Sequence, residues 1–255
     1  MRLPSGTFGW IDGQSTDPAK AKAFYSELFG WEPKDQPVGE GMVYTLFHKA
    51  GKQVAGLGQA QPGMPSVWNS FIYVDDVEAA TAKVARNKGK VVVEPTDVLT
   101  SGRMSVVSDP TGAMVGLWEP REHQGWEAYG EPGAVVWNEL VTRDVKKALP
   151  FYEKVVGWTW RTLPGAAGGA DYYICQVGDK DNGGAFDMAG ANLPAEIPPH
   201  WEVYIGVENA DETVERAKRL GATHTAGPID VPDVGRIQYL MDPTGAVVAV
   251  IQGSM

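Results

Sequence analysis

Two acidic residues hold matching places in this chain. Asp12 lies in "GWIDGQSTD" and Glu139 in "VVWNELVTR", each two residues after a tryptophan, Trp10 and Trp137. Side chains alternate faces along an extended strand, so each acid shares a face with its tryptophan. On an apolar inner face such an acid needs a partner or a proton. Arg103 and Arg236 are the evident partners, each six residues before the Asp of a repeated "DPTG". Two readings stand side by side. One is a structural Asp/Glu–Arg pair. The other is a general base or ligand anchor whose proton affinity is tuned by its pocket. The tryptophans likewise either wall a cup and stack on a planar ligand, or fill space. His200 and Glu202 are also two apart, and alternation could aim both inward; this pair is the remote candidate for a metal. The four histidines, His48, His123, His200 and His224, are too scattered for a Ser-His-Asp arrangement. "GAAGGAD" (165–171) lacks the preceding strand and following helix of a phosphate loop. Cys175 has no adjacent base and reads as buried and inert.

The elements that must position these residues come in duplicate. "GTFGWIDGQSTDPAKAKAFYSELFGW" (6–31) matches "GAVVWNELVTRDVKKALPFYEKVVGW" (133–158) at a shift of 127 positions. "GRMSVVSDPTG" (102–112) matches "GRIQYLMDPTG" (235–245) at a shift of 133. The drift falls in Gly-rich stretches, where loops accept insertions at little cost. The expected organisation is a first domain over 1–122, a linker over 123–132 and a second domain over 133–255. Trp126 and Tyr129 give the linker apolar anchors. Each half repeats again more weakly, as strand, helix, then two or three strands. Asp17 is an N-cap, Pro18 sits at the first helical position and Gly30 suits a left-handed C-cap. Pro150 predicts a kink or late start in the matching helix. Phe24-Tyr25 and Phe151-Tyr152 should pack their helices on the sheet, and Trp68 and Trp201 alternate away from the cup. "DPTG" reads as a tight turn, with Asp starting it, Pro fixing φ and Gly supplying positive φ, so Asp109 and Asp242 are turn residues.

Composition narrows the function classes. The chain has 255 residues, 43% of them hydrophobic, and a formal net charge of −10. No basic stripe exists to neutralise phosphates, which argues against nucleic acid or an anionic membrane as partner. No apolar run approaches the roughly 20 residues that would span a bilayer. One cysteine permits no intrachain disulfide, and the expected location is a reducing cytoplasm. The N-terminus shows no apolar signal region.

With strand–helix–"FY"–"GW", then "VDDVEAA", then "GR…DPTG", the chain resembles the vicinal oxygen chelate superfamily of glyoxalases, bleomycin-resistance proteins and extradiol dioxygenases. The resemblance covers nearly the whole chain, twice. It implies an α+β fold of tandem domains, each of two βαβββ modules forming a cupped mixed sheet with helices on the outer face. In metal-using members, ligands lie on the first and last strands of each module, usually as His, Gln or Glu. Those places fall here on Trp10, a site near Gly56 to Gly58, Asn69 and Gly116. In the second half they fall on Trp137, a site near Ala185 to Asp187, Glu202 and Ala249. Trp and Gly offer a divalent cation no donor, and a usable site needs about three protein ligands.

The expected function follows. The leading reading is a metal-free protein that holds a small aromatic or apolar metabolite, an antibiotic or biosynthetic intermediate, in a Trp-lined cup. The binding residues would be Trp10, Asn69, Gly116, Trp137, Asp187, Ala249, Arg103 and Arg236. The alternative is an enzyme of secondary metabolism, a lyase, isomerase, cyclase or oxygenase type, with Glu202, Glu139 or Asp12 as acid or base. A protein-interaction role is the third reading. No cofactor is expected, although a divalent metal is not excluded. A monomer is plausible, because two domains in one chain can satisfy the family's pairing of modules; a homodimer is the other option.

Overall fold

The computed structural model describes residues 3–39, 41–188 and 196–254. In the first half β1 (Phe8–Ser15) leads to α1 (Pro18–Phe29), then β2 (Glu32–Gly39), β3 (Met42–Lys49) and β4 (Lys52–Gln59). β5 (Val67–Tyr73), α2 (Val77–Val84), β6 (Lys90–Val98), β7 (Gly102–Ser108) and β8 (Met114–Pro120) repeat that pattern. The second half has β9 (Val135–Thr142), α3 (Val145–Val156), β10 (Thr159–Ala167), β11 (Ala170–Val177) and β12 (Lys180–Asp187). It closes with β13 (His200–Gly206), α4 (Ala210–Arg219), β14 (Thr223–Val231), β15 (Gly235–Met241) and β16 (Val247–Gly253). Two eight-stranded mixed sheets result, ordered β2-β3-β4-β1-β5-β8-β7-β6 and β10-β11-β12-β9-β13-β16-β15-β14. This is the duplicated βαβββ architecture that the resemblance implied.

Local chemistry explains the element ends. The side chains of Asp17, Asp76, Asp144 and Asn209 accept a backbone N–H in the first turn of their helices. Gly30 and Gly157 end α1 and α3 at φ 69° and 79°, a region that favours glycine. Pro150 sits inside α3, which nonetheless starts directly after its Asp144 cap, so the helix does not start late. β2 and β10 did not stand out in the sequence, because β2 is exposed at every residue and each carries proline. As edge strands they tolerate proline. β6 and β14, the other two edges, contain Pro95 and Pro228. Proline on an edge also discourages pairing with another chain.

The chain packs as two compact units, each drawing on both halves. One comprises Met1–Gly9, Ser70–Gly125 and Asn138–Trp201; the other comprises Trp10–Asn69, Trp126–Trp137 and Glu202–Met255. In the second unit Trp68 Nε1 donates to Tyr25 Oη at 2.8 Å, and Tyr25 Oη donates to Asp242 Oδ2 at 2.8 Å. Trp31, stacked on Tyr25, donates its indole N–H to the Gly133 carbonyl. The first unit repeats the circuit. Trp201 donates to Tyr152 at 2.8 Å, Tyr152 to Asp109 Oδ2 at 3.1 Å, and Trp158, stacked on Tyr152, to the Gly6 carbonyl. The other oxygen of each aspartate closes its own turn. Asp109 Oδ1 accepts from the Thr111 N–H and hydroxyl, and Asp242 Oδ1 from those of Thr244. Burial, and then the charge of the aspartate, raise both tyrosines well above the ordinary phenol value, so both remain donors.

The linker is an ordered strap. Trp126 stacks on Tyr129 with ring centroids 5.0 Å apart and packs against the core. The Glu127 carboxylate and N–H bond the backbone of Gln53.

Tyr25→Phe removes a donor from a buried carboxylate and the acceptor of a buried indole. We expect a loss of about 2 kcal/mol, and a comparable loss from Tyr152→Phe. Urea denaturation measures both; unchanged midpoints would show that these circuits add no net stability.

Candidate functional site

The face of each sheet opposite its helices holds the candidate residues. Gly13, Leu57 and Trp68 meet on the α1 side, so Asp12, Gly56 and Asn69 point the other way. Asp12 and Gly56 are register partners on β1 and β4, as are Glu139 and Gly184 on β9 and β12. The second-half place expected near Ala185 to Asp187 therefore corresponds to Gly184. Ala185 is fully buried beside Leu140, and Asp187 pairs with Thr142 on the face away from Glu139.

A tyrosine covers each of these glycines. A Cβ on Gly56 would lie 1.8 Å from the Tyr44 hydroxyl, and one on Gly184 would lie 1.9 Å from the Tyr172 hydroxyl. Only glycine leaves room for the phenol. Tyr44 accepts from the Trp10 indole N–H at 3.2 Å, and Tyr172 donates to Glu139 Oε1 at 2.7 Å. Sequence reasoning missed both tyrosines. The available signal was their spacing, 128 positions, close to the repeat shift.

Asp12 is 8% exposed, and its Oδ2 accepts from the Gln14 side-chain amide. Asn69 Nδ2 approaches the Asp12 carbonyl at 3.4 Å. Burial raises the Asp12 carboxyl to about 6, against the bonds from Gln14 and Tyr44 that lower it. Burial, followed by the charge of Asp12, raises Tyr44 well above the ordinary phenol value.

The arginines expected to pair with these acids do not. Arg103 binds Asp97 at 2.9 Å and also Glu78 of α2. Arg236 binds Asp211 of α4 at 3.0 Å and Asp230 at 2.8 Å. The reason is strand alternation. Arg103 shares its face with Ser105, which bonds Thr81 of α2, and Arg236 shares its face with Gln238, which bonds Asp211.

The remaining places are also taken up by packing. A Cβ on Gly116 would sit 2.1 Å from the Phe71 ring. Ala249 is buried beside Tyr204 and Tyr239, whose hydroxyls lie 2.7 Å apart. Glu202 is buried on β13, and His200 opens that strand with Nδ1 2.8 Å from the Pro198 carbonyl. Trp10 is buried and Trp137 is half-buried. Among the described residues no group of three or more His, Cys, Asp or Glu is gathered as a cation site would require. Cys175 is buried, and burial pushes its thiol up. Among the described residues no helix is long and apolar enough to cross a membrane.

The model for the Glyoxalase/Bleomycin resistance protein/Dioxygenase superfamily matches residues 7–117 and again 134–250. The chain belongs to this superfamily. A putative glyoxylase, CFP32, from Mycobacterium tuberculosis is 42% identical over 252 residues, covering 97% of this chain and 95% of that protein. The anthracycline biosynthesis protein DnrV of Streptomyces peucetius is 34% identical over 270 residues, covering 98% and 94%. Among solved structures, the Mn(II)-bound glyoxalase from Novosphingobium aromaticivorans superposes with a TM-score of 0.66 at 16% identity, covering 97% of this chain and 82% of that one. The 2,3-dioxygenase LapB from Pseudomonas sp. KL28 gives 0.66 at 13% identity, covering 99% and 94%. At such identities the structural likeness speaks for the fold of the superfamily alone.

The raised Asp12 carboxyl makes stability depend on pH. An acid lifted from 3.8 to about 6 on folding favours the native state in its protonated form. That contribution is full below about pH 4 and is lost as pH rises through about 6. Asp12→Asn removes the penalty of the buried charge. It should gain on wild type by on the order of 3 kcal/mol between pH 4 and pH 8. Parallel denaturation curves at the two pH values test this; a constant difference would place Asp12 ionisation outside the folding balance.

Proposed function

We propose that this superfamily member binds a small aromatic or largely apolar metabolite on the Trp- and Tyr-bearing faces of its sheets, without a resident divalent metal. The single observation behind this reading is the pair of phenols laid over Gly56 and Gly184. A phenol there occupies the place where a metal-using relative would carry a ligand, and Trp10, Asn69 and Gly116 add no charged donor in the first half. In the second half, Glu202 is a possible ligand and Glu139 already accepts from Tyr172. This donor set does not fit a divalent cation, which takes about three His, Cys or carboxylate ligands. The name of DnrV, a protein of anthracycline biosynthesis, supports a polycyclic aromatic as the class of ligand. Flat indole and phenol faces with few polar groups suit such a molecule.

A second reading is favoured by one observation. A carboxyl at about 6 is poised to accept a proton near neutral pH, so Asp12, with Glu139 and Glu202 as further acids, suits a metal-independent lyase, isomerase or cyclase. The single buried thiol accords with a reducing cytoplasm, and the self-contained duplication with a monomer, a homodimer being the alternative.

Purified, untagged protein should hold well under one transition metal per chain by elemental analysis. A hydroxyanthraquinone should quench its tryptophan fluorescence, and dialysis against a chelator should leave that quenching intact. Stoichiometric metal whose removal abolishes binding would overturn the proposal. Slow conversion of the bound aromatic, lost in Asp12→Asn or Glu202→Gln, would move the protein to the second reading.

A further inference from the structure

We infer that the seam between α2 and α3 is a docking surface for an acidic protein, which lays a carboxylate-bearing helix across Lys83, Arg86, Lys88, Lys147 and Lys154. This surface lies on the helix side, away from the candidate site, and does not depend on the ligand role proposed above.

The first compact unit brings these cations together. α2 packs on α3, and the turn after α2 lies directly against it, since a Cβ on Gly89 would come 2.5 Å from the Phe151 ring. Lys147 and Lys154 stand one turn either side of Phe151, on its face of α3. Lys88 adjoins Gly89, and Lys83 and Arg86 lie on α2 and in the turn that follows it. All five are exposed. Lys147 meets the Asp144 cap, and the other four form no ion pair among the described residues. Glu153 is the one acid within α3. In a chain of formal net charge −10 this is a local accumulation of the opposite sign.

The second unit has the same packing without the charge. There α1 packs on α4, and the matching positions are Arg216, Arg219, Gly221, Lys20 and Glu27. α4 also carries Glu212 and Glu215 where α2 has Ala79 and Ala82, and Glu215 pairs with Lys218. The fold therefore does not require the cations of the first unit. Lys88 adds an independent observation. It sits at φ 67°, in the left-handed region, whereas the matching residue is a glycine, Gly221, at φ 92°. A lysine in that conformation is strained relative to glycine. A charged side chain kept where glycine would fold better points to a task other than folding.

The make-up of the patch selects the partner. Four of its five cations are lysines, separate point charges that suit carboxylates spaced along a helix, whereas phosphate recognition favours the guanidinium fork of arginine. The negative charge of the rest of the chain confines attraction to this small area. A compact acidic protein can meet the patch alone, while an extended polyanion such as a duplex or a membrane surface would also meet the repelling charge around it.

The experiment titrates the full chain with a dye-labelled helical peptide bearing glutamates along one face, read by fluorescence anisotropy at about 20 mM and about 200 mM salt. Phosphatidylglycerol vesicles and a DNA duplex are titrated alongside. The peptide should bind saturably at low salt and about tenfold or more weakly at high salt. Lys88→Glu together with Lys154→Glu should weaken low-salt binding by about tenfold, and Lys20→Glu with Arg216→Glu, in the second unit, by less than about twofold. Lys88→Gly should weaken binding about two- to fivefold while raising the melting temperature, and because it relieves strain it also serves should the Glu variant not fold. A peptide that does not bind, or whose binding survives both Lys88→Gly and the double substitution at Lys88 and Lys154, overturns the docking surface. Equal losses from the substitutions in the two units overturn it as well. Tighter association with the vesicles or the duplex than with the peptide overturns the choice of an acidic protein.

Discussion

The arrangement depends on a tyrosine hydroxyl donating to an aspartate from the other half of the chain. Tyr25 reaches Asp242 and Tyr152 reaches Asp109, each inside its own compact unit. The aspartate does two jobs with two oxygens. One gathers the N–H groups and threonine hydroxyl that make the "DPTG" turn, and the other receives the phenol. Asparagine could supply one acceptor but not both. An isolated half would retain the turn yet leave the phenol, the indole above it and one carboxylate oxygen without partners. Buried polar groups in that condition are costly. The pairing thus explains why the chain folds as units that mix its halves, although its sequence reads as two successive domains.

The same residue type has a different task on the other face. Tyr44 and Tyr172 lie over glycines, and each glycine is indispensable to its tyrosine because a methyl group there would overlap the hydroxyl. Position and partner are coupled. Glycine at these positions leaves a hollow, and a phenol from the neighbouring strand fills it. The hydroxyl then organises the nearby acid, by donating to Glu139 in one repeat and by lowering Asp12 against the effect of its burial in the other.

Much of the fold was legible because its signals are local. The Asp17 and Gly30 caps, the "DPTG" turns and the 127-position shift all lie within short windows of sequence. β2 and β10 escaped because an exposed edge strand has neither alternation nor an apolar run. At the site, Trp10, Asp12 and Glu139 were legible from period-two spacing. Arg103 and Arg236 were misassigned because spacing along a chain does not say which face a strand presents; their partners turned out to be acids near α2 and α4. Tyr44 and Tyr172 were out of reach because their role appears only when β3 is laid beside β4 and β11 beside β12. The tie between Tyr25 and Asp242 spans more than two hundred positions and leaves no local trace.

The two faces of the sheets carry different kinds of contact in this chain. The helix side carries the stacked aromatics, the capped turns and the Tyr–Asp circuits, and that is where a substitution would be felt by the whole domain. The opposite face contributes side chains whose packing is satisfied locally, as Tyr44 satisfies Gly56 and Phe71 satisfies Gly116. The Mn(II)-bound glyoxalase at 16% identity and this chain share the fold. Fold likeness then carries little weight in deciding the chemistry, and the identity of a few inward side chains carries most of it. In this chain the inward side chains beside the two glycines are Asp12 and Tyr44 in one repeat and Glu139 and Tyr172 in the other.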